Sequence, residues 1–392
     1  MDAQLIQKIK ENLSINGARG ILNPELLGEE LKDIHLLNLN ALKEGVKELV
    51  GILQKMAPDI SPTIHFSIAD SFRIDAYAAR LDPNDPKWNR HYLVSIYHGA
   101  FQNFFSLFWG LLAHPKILPD IGKPNIEIPS FLYNEGLIDY CYNFPEAKNQ
   151  MKEFGRTWVT HFYPEDQDRQ IYGQILANLC IEYLFLHEIS HILGGHIDFL
   201  IEEQLSQGLF HFQPTALGAA AYDTSLGIPN IKVLEYEADL IAGSLIASVI
   251  KYDRSLLGSF LEDQLSSSID LYKALVFALL ILFHLFKEIR QSYKKVQPYP
   301  EPDIRFWAAY YGIVSHMRRE YGEEGVKKFE DAFSWSIENY FRLITELKLP
   351  NQFVFINQEN YQGFEEIQTL EEALKVIDPL LYPHSLWRKA NR

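Results

Sequence analysis

Two histidines and one glutamate near the middle of the chain have the spacing of a hydrolytic zinc site. In FLHEISHILGGHID, residues 185–198, His187 and His191 are four positions apart, with Glu188 directly after the first. Positions i and i+4 share one face of a helix, so both imidazoles can bind the same tetrahedral ion. Glu188 lies beside that face, where its carboxylate can take a proton from water, a task that a purely structural zinc site would not need. The pattern favours a catalytic centre over two core histidines beside a buried acid.

A third ligand is predicted on a second helix, in the segment LEYEADLIAGSLIAS. Glu235 and Asp239 are again four positions apart, so Glu235 can bind the ion while Asp239 accepts a hydrogen bond from an imidazole. Ala238 and Ala242 lie beside the same face and are small, which lets the two helices approach closely. Glu237 points about 200° away from Glu235 and is expected to be solvated.

His196 is an alternative third ligand. It follows His191 by five residues, whereas the helical zinc proteases with three histidines place the third one six residues on, where this chain has Ile197. Gly194 and Gly195 are expected to end the helix, so His196 could still bend back toward the ion. A polar position near the mouth of the site is the favoured interpretation.

The order of these motifs resembles a known group of enzymes. HEISH followed by EYEAD is similar to the H-E-x-x-H and E-x-x-A-D pair of gluzincin metallopeptidases, above all the family that contains the prenyl-CAAX protease and the HtpX heat-shock protease. Upstream, RIDAYAAR and YLVSIYHGAF resemble two strands of that family, with Asp75 where the family commonly has Asn. The family's membrane helices are missing, which makes the chain similar also to the Lit-type phage-exclusion peptidases and the ImmA/IrrE-like peptidases. The resemblance implies a zinc peptidase.

Further candidates could stabilise the oxyanion that develops during such a reaction. In YPEPDIR, residues 299–305, Tyr299 stands where the family has the histidine of H-P-x-x-x-x-R, and Arg305 matches its arginine. Pro302 suits the first turn of a helix, which places Arg305 near a positive helix end where an acid or a substrate carbonyl must hold it. A structural salt bridge is the alternative role for Arg305. His196 and Tyr236 are the remaining candidate donors.

The pattern of apolar residues predicts a mostly α (α+β) fold, with a zincin-like helical core and a small antiparallel sheet. SFRIDAYAAR (71–80) and HYLVSIYHG (91–99) are predicted to form an antiparallel pair across a turn, and TIHFSIA (63–69) is a weaker strand candidate. Helical periodicity is found at 24–56, 166–193, 231–251, 255–294, 302–320 and 323–346.

Three regions are expected along the chain. An N-terminal helical segment (1–60) precedes the metallopeptidase domain (61–347), which carries an insertion at about 114–166 that is expected to pack over the surface. A C-terminal segment (348–392) is expected to be irregular apart from a helical piece near 368–377 and to pack on the domain. The sequence does not indicate an oligomeric state.

Composition excludes some partners and compartments. The formal charge of −15 disfavours nucleic acid. Cys141 and Cys180 are expected to be buried thiols in a reducing compartment, and the N-terminal residues do not have the pattern of a secretory signal, so a cytoplasmic protein is expected. The apolar run 274–286 is too short to span a membrane and is predicted to be a core helix. His284 within it is predicted to be a packing histidine without a chemical partner at helical spacing.

Taken together, the sequence predicts an endopeptidase with Zn²⁺ as cofactor and a protein or peptide as substrate. The substrate would lie extended along the strand at 73–79 or the strand at 92–98, paired through its backbone with an exposed edge of the sheet. Two alternatives stay open: a non-catalytic or latent helical protein that zinc staples together and that binds a protein partner, and a regulatory or defence protease with a single target.

Overall fold

The computed structural model describes most of the 392-residue chain, namely residues 3–15, 18–22, 62–71, 74–82, 90–124, 164–206, 230–252, 268–292, 300–349 and 363–390, with isolated positions between 44 and 55 and between 136 and 141. The strands are β1 (Thr63–Ala69), β2 (Ala76–Arg80) and β3 (His91–Tyr97). Within the described residues the helices are α1 (Ala3–Ile15), α2 (His98–Ala113), α3 (Gln167–Leu193), α4 (His196–Ser206), α5 (Asn230–Tyr252), α6 (Ser268–Ser292), α7 (Pro302–Glu346), α8 (Gly363–Leu381) and α9 (Leu386–Ala390).

The mostly α fold with a small sheet is confirmed. The predicted helices at 166–193 and 231–251 match α3 and α5 closely. Most of the prediction at 24–56, the first part of that at 255–294 and most of the insertion at 114–166 lie outside the described residues. The division into three regions stays a prediction.

The sheet has three strands in the order β1-β3-β2. β2 and β3 form the predicted antiparallel pair, with Ala78 opposite Val94. β1 is also a strand, but it pairs in parallel with β3, with Phe66 opposite Val94, so the sheet is mixed and not wholly antiparallel. β3 is the central strand and is buried along nearly its whole length, which explains its continuous apolar and small residues.

α3 carries the HEISH motif through the centre of the protein. Its N-terminus is capped by Asp166, whose Oδ1 accepts hydrogen bonds from the backbone N–H groups of Asp168 and Arg169 at 3.1 and 3.2 Å. From Ile175 onward almost every side chain is buried, because α3 lies against α2, the sheet, α5 and α6 together. A helix that is buried on several sides needs apolar residues all round, as this sequence has.

Two glycines let α5 and α7 pack with their backbones in close contact. A methyl group on Gly243 would lie 2.1 Å from the carbonyl oxygen of Ala309, and one on Gly312 would lie 2.1 Å from that of Leu240. Only glycine fits at either position without moving a helix. This approach brings the N-terminal part of α7, with Arg305, against the ligand-bearing face of α5.

α7 is interrupted at Gly322, which has φ 64° and ψ −162°. The two helices predicted at 302–320 and 323–346 therefore meet at a glycine with left-handed φ, a conformation that costs other residues free energy. Both halves bury apolar residues on the same core as α6.

α6 contains the apolar run that the sequence assigns to the core, and His284 within it is fully buried, as predicted. The expectation that it has no partner at helical spacing is wrong. Its Nε2 lies 3.1 Å from Oε1 of Glu288, one helical turn later, and its Nδ1 lies 2.7 Å from the hydroxyl of Tyr340 on α7. His284 and its two partners form a polar contact inside the otherwise apolar interface between α6 and α7.

A buried ionic cluster joins the sheet to α4. Asp198 is 1% exposed and accepts hydrogen bonds from Arg80 at 3.1 Å, from the hydroxyl of Tyr92 at 2.6 Å and from Arg90. Each charge loses its hydration in this position, and the contacts between them replace it. The cluster fixes the end of β2 relative to the helix that follows the HEISH motif.

The C-terminal region is more regular than the sequence suggests. The helical piece expected near 368–377 extends over Gly363–Leu381 and is followed by the short helix Leu386–Ala390, so the expectation of an otherwise irregular segment is wrong there. Ile367, Leu370 and Ile377 lie on one face of α8 and pack in a separate apolar cluster with residues of α4 and α5. Pro379 lies within the last turn of α8.

Candidate metal centre

Three donor atoms from α3 and α5 meet in the interior. His187 Nε2 lies 3.2 Å from His191 Nε2 and 3.2 Å from Glu235 Oε2, and His191 Nε2 lies 3.5 Å from Glu235 Oε1. Ligand bonds of about 2.0–2.1 Å place neighbouring donors of a tetrahedron roughly 3.3 Å apart. The three spacings fit one ion, and this buried group could hold a metal. A tetrahedral ion held by these three donors would have one further coordination position.

Asp239 holds His187 in the orientation that such a ligand requires. His187 Nδ1 lies 2.8 Å from Asp239 Oδ1, so a proton on Nδ1 is shared with the carboxylate and Nε2 is the ring nitrogen that faces the other donors. Asp239 is fully buried and accepts further hydrogen bonds from the hydroxyl of Tyr183 at 2.7 Å and from Arg305 Nε at 2.7 Å. Tyr183 was missed in the sequence analysis, although it lies one helical turn before His187 and therefore on the same face.

Arg305 connects α7 to the centre. Its Nε and Nη2 bind the two oxygens of Asp239 at 2.7 and 3.1 Å, and Nη2 also lies 3.2 Å from His187 Nε2 and 3.5 Å from Glu235 Oε2. A bidentate guanidinium–carboxylate pair has fixed geometry, which a lysine would not reproduce. This position is compatible with both predicted roles of Arg305, a structural salt bridge and an oxyanion donor.

The charges in this cluster depend on one another. Burial alone would lower the pKa of His187, but the carboxylate of Asp239 outweighs it and raises the pKa to about 10. Burial would raise the pKa of Glu235, but His191, His187 and Arg305 lower it to about 2. The pKa of Asp239 is likewise lowered, mainly by Arg305 and His187 against the effect of burial. Without a metal, the cluster therefore keeps both carboxylates ionised and His187 protonated.

Glu188 has a different environment from the other acids of the site. It is 9% exposed, and no hydrogen bond joins its carboxylate to another of the described residues. Burial raises its pKa to about 7; the charge of His187 opposes this shift, and the negative charges of Glu235 and Asp75 add to it. A carboxylate with a pKa near neutrality is suited to accept and return a proton. Asp75, just before β2, is therefore close enough to affect Glu188.

His196 lies behind His191 and not at the mouth of the site. It is fully buried, its Nδ1 lies 3.0 Å from His191 Nδ1, and its Nε2 lies 3.0 Å from Oε2 of Glu237. His196 does not belong to the group of three convergent donors. The expectation that Glu237 is solvated is wrong: it points away from Glu235 as expected, but Arg388 of α9 covers it, with Nη2 2.5 Å from Oε1.

Of the other two candidate oxyanion donors, only Tyr236 lies within the described residues, and its hydroxyl group does not face the three donor atoms. Tyr299 lies outside the described residues. The hydroxyl of Tyr236 lies 3.3 Å from Oε1 of Glu371 on α8, because consecutive residues of a helix are turned by about 100° and Tyr236 therefore faces away from Glu235.

The order of the strands decides between the two proposed substrate-binding edges. β3 has neighbours on both sides, so the expectation that a substrate could pair with residues 92–98 is wrong. β2 has one hydrogen-bonded neighbour among the described strands and packs against α3. Of the two segments, only residues 76–80 of β2 lie on a strand at an edge of the described sheet, and their side chains are largely buried.

The chain matches no protein-family model, no curated protein and no solved structure. The resemblance to gluzincins consequently rests on the motif residues and their spacing alone. None of the helices in the described part of the chain is both long and apolar enough to cross a membrane.

Proposed function

We propose that the protein is a zinc-dependent endopeptidase of the gluzincin type. The observation that carries the proposal is the position of Glu188: a buried carboxylate next to three convergent donor atoms, with a pKa raised by burial to about 7. A site that only stapled helices together would gain nothing from such a group, since an unneutralised buried acid is costly. Two imidazoles and one carboxylate form the ligand set of many hydrolytic zinc sites, which keep one position open.

The residues of the chain have separate tasks in this proposal. His187, His191 and Glu235 hold the ion, and Asp239 orients His187. When bound, the ion supplies a Lewis acid that polarises water and the scissile carbonyl group. Glu188 accepts the proton of the attacking water and returns it to the leaving amine.

Arg305 and β2 act on the substrate. The guanidinium of Arg305 lies within 3.5 Å of two ligand side chains and can donate to the oxyanion that develops on the substrate. A protein or peptide substrate would lie along β2, close to Glu188.

The proposed location of the protein is the cytoplasm, because Cys141 and Cys180 are buried free thiols and suit a reducing compartment.

The proposal is tested with purified protein, its zinc content and an unfolded protein substrate. The wild type should contain about one zinc per chain and cleave the substrate. Glu188→Gln should keep the zinc and lose cleavage, whereas Glu235→Gln should lose zinc affinity as well. Glu182→Gln is the matched control, because Glu182 is another buried glutamate of α3 that the proposal gives no part in the reaction. Cleavage by Glu188→Gln at the wild-type rate would refute the mechanism.

The same measurements separate the alternative functions. Stoichiometric zinc without hydrolysis of any substrate would favour a non-catalytic or latent protein in which the ion joins α3 to α5. Cleavage of one protein in a cell lysate, with none of a general unfolded substrate, would favour a regulatory or defence protease. New peptide termini in lysates treated with the wild type and with Glu188→Gln distinguish these outcomes.

A further inference from the structure

A continuous row of hydrogen bonds leads from one metal ligand to the C-terminal segment, defined here as residues 363–390. Nδ1 of His191 lies 3.0 Å from Nδ1 of His196, and Nε2 of His196 lies 3.0 Å from Oε2 of Glu237. Oε1 of Glu237 accepts a hydrogen bond from Nη2 of Arg388 at 2.5 Å. All four side chains are less than one-tenth exposed, so water does not compete for these contacts.

The direction of each hydrogen bond follows from its last member. Arg388 is always a donor, so it holds Glu237 as an ionised acceptor. When His196 is neutral, donation to an ionised Glu237 places its proton on Nε2, which leaves Nδ1 of His196 as an acceptor. His191 must then carry its own proton on Nδ1, and its Nε2 keeps the lone pair that a metal ion needs. The charge of Arg388 thus selects the ligand form of His191 through two intermediate side chains.

The same segment also holds the C-terminal end of α3. The hydroxyl of Ser385 donates to the carbonyl oxygen of Leu193 at 3.1 Å, and Nη1 of Arg388 donates to that of Gly194 at 3.0 Å. Carbonyl groups at the end of a helix lack intrahelical partners, and these contacts satisfy two of them. Gly195 has φ 78°, and a methyl group there would lie 2.7 Å from the carbonyl carbon of His384, so only glycine allows the segment to approach this closely.

We propose that Arg388 is a positioning residue for the metal ligand His191, acting through Glu237 and His196, and that the C-terminal segment thereby sets the affinity of the centre for zinc. The inference rests on the zinc site of the proposed function but not on hydrolysis. The acceptor for His187 Nδ1 is Asp239 on α5, one of the two helices that carry the ligands. The orientation of His191, in contrast, depends on the C-terminal segment, which lies more than 150 residues later in the sequence.

The test is the dissociation constant for zinc, measured on chelator-stripped protein by competition with a chromophoric chelator. Arg388→Gln should raise this constant by about 10-fold, the lower end of the range for groups in direct contact with a metal-binding histidine, because Arg388 acts through two further side chains. Asp378→Asn is the matched control, because Asp378 accepts from Nε of Arg388 at 2.6 Å and is not part of the row leading to His191. It should change the constant far less.

A double-mutant cycle separates positioning from general stabilisation. His196→Phe interrupts the row, so adding Arg388→Gln to it should raise the dissociation constant no further. If the two effects multiply instead, Arg388 acts independently of His196 and the inference is overturned. Circular dichroism of the metal-free variants monitors the fold. If Arg388→Gln does not fold, Glu237→Gln replaces it in the cycle with the same expected outcome.

The inference and the proposed function can fail separately. Equal zinc affinities of the wild type and Arg388→Gln would overturn the role of Arg388 and leave the peptidase proposal intact. Tight zinc binding that weakens in Arg388→Gln, in a protein that cleaves nothing, would support the positioning role and remove the peptidase. A wild type that binds no zinc would overturn both.

Discussion

Glu188 should destabilise the metal-free protein at neutral and alkaline pH. Burial raises its pKa from 4.5 to about 7, so the folded state binds its proton more tightly than the unfolded state does. Stability then falls as pH rises from the unfolded to the folded pKa. At about 1.4 kcal/mol per pKa unit, this group should lower the free energy of unfolding by about 2.5 kcal/mol between pH 5 and pH 8.

Glu188→Gln removes the ionisable group while keeping the size of the side chain. We expect the free energy of unfolding of the variant, relative to that of the wild type, to rise by about 2.5 kcal/mol between pH 5 and pH 8, by the same linkage. Urea unfolding of both proteins at the two pH values, with a chelator present, measures this difference directly. Other titrating groups are common to both proteins and largely cancel.

Glu372→Gln is the control for the removal of one negative charge, because Glu372 is exposed on α8. The free energy of unfolding of Glu372→Gln, relative to that of the wild type, should be nearly the same at the two pH values. If Glu188→Gln is no more stabilising at pH 8 than at pH 5, the carboxylate is hydrated or paired in the folded protein. The assignment of Glu188 as a base poised near neutrality would then be wrong.

Three further predictions concern the metal centre and its supports. Because the pKa of His187 is raised to about 10 by Asp239 and that of Glu188 to about 7 by burial, zinc binding should release nearly two protons at pH 6 and nearly one at pH 8.5, measured by calorimetry in buffers of different ionisation enthalpy. Gly312→Ala forces a methyl group into the backbone of α5 and should lower the free energy of unfolding by about 1–3 kcal/mol, whereas Gly51→Ala, with open space around it, should not. Asp198→Asn leaves two buried arginines without their carboxylate and should cost about 3–5 kcal/mol in the same assay.

The parts of the centre that lie within one helical turn could be predicted from the sequence. A spacing of four residues fixes which side chains share a face, and this was enough to pair His187 with His191 and Glu235 with Asp239. The small residues of α5 also indicated correctly that a second helix could approach closely. Tyr183 could have been found by the same rule.

Contacts between distant segments could not be predicted in this way. The direction of Glu237, away from Glu235, follows from helical geometry, but its burial depends on Arg388, 151 residues later. The strand pattern likewise predicted the antiparallel pairing of 71–80 with 91–99 but not that β1 would pair with β3 on its second side. Periodicity describes one element at a time, and the partner that covers its face is a property of the whole fold.

The charges of the centre suggest how metal binding and the readiness of the base are linked. In the metal-free protein at about pH 6, Glu235 and Asp239 are ionised and are balanced by Arg305 and a protonated His187, and Glu188 is mostly neutral. A divalent ion that displaces the proton of His187 adds one net positive charge to this buried cluster. Ionisation of Glu188 restores neutrality, and an adjacent positive charge lowers the pKa of a carboxylic acid. Under the proposed function, the ion would therefore replace two protons and leave Glu188 in the ionised form that can accept a proton.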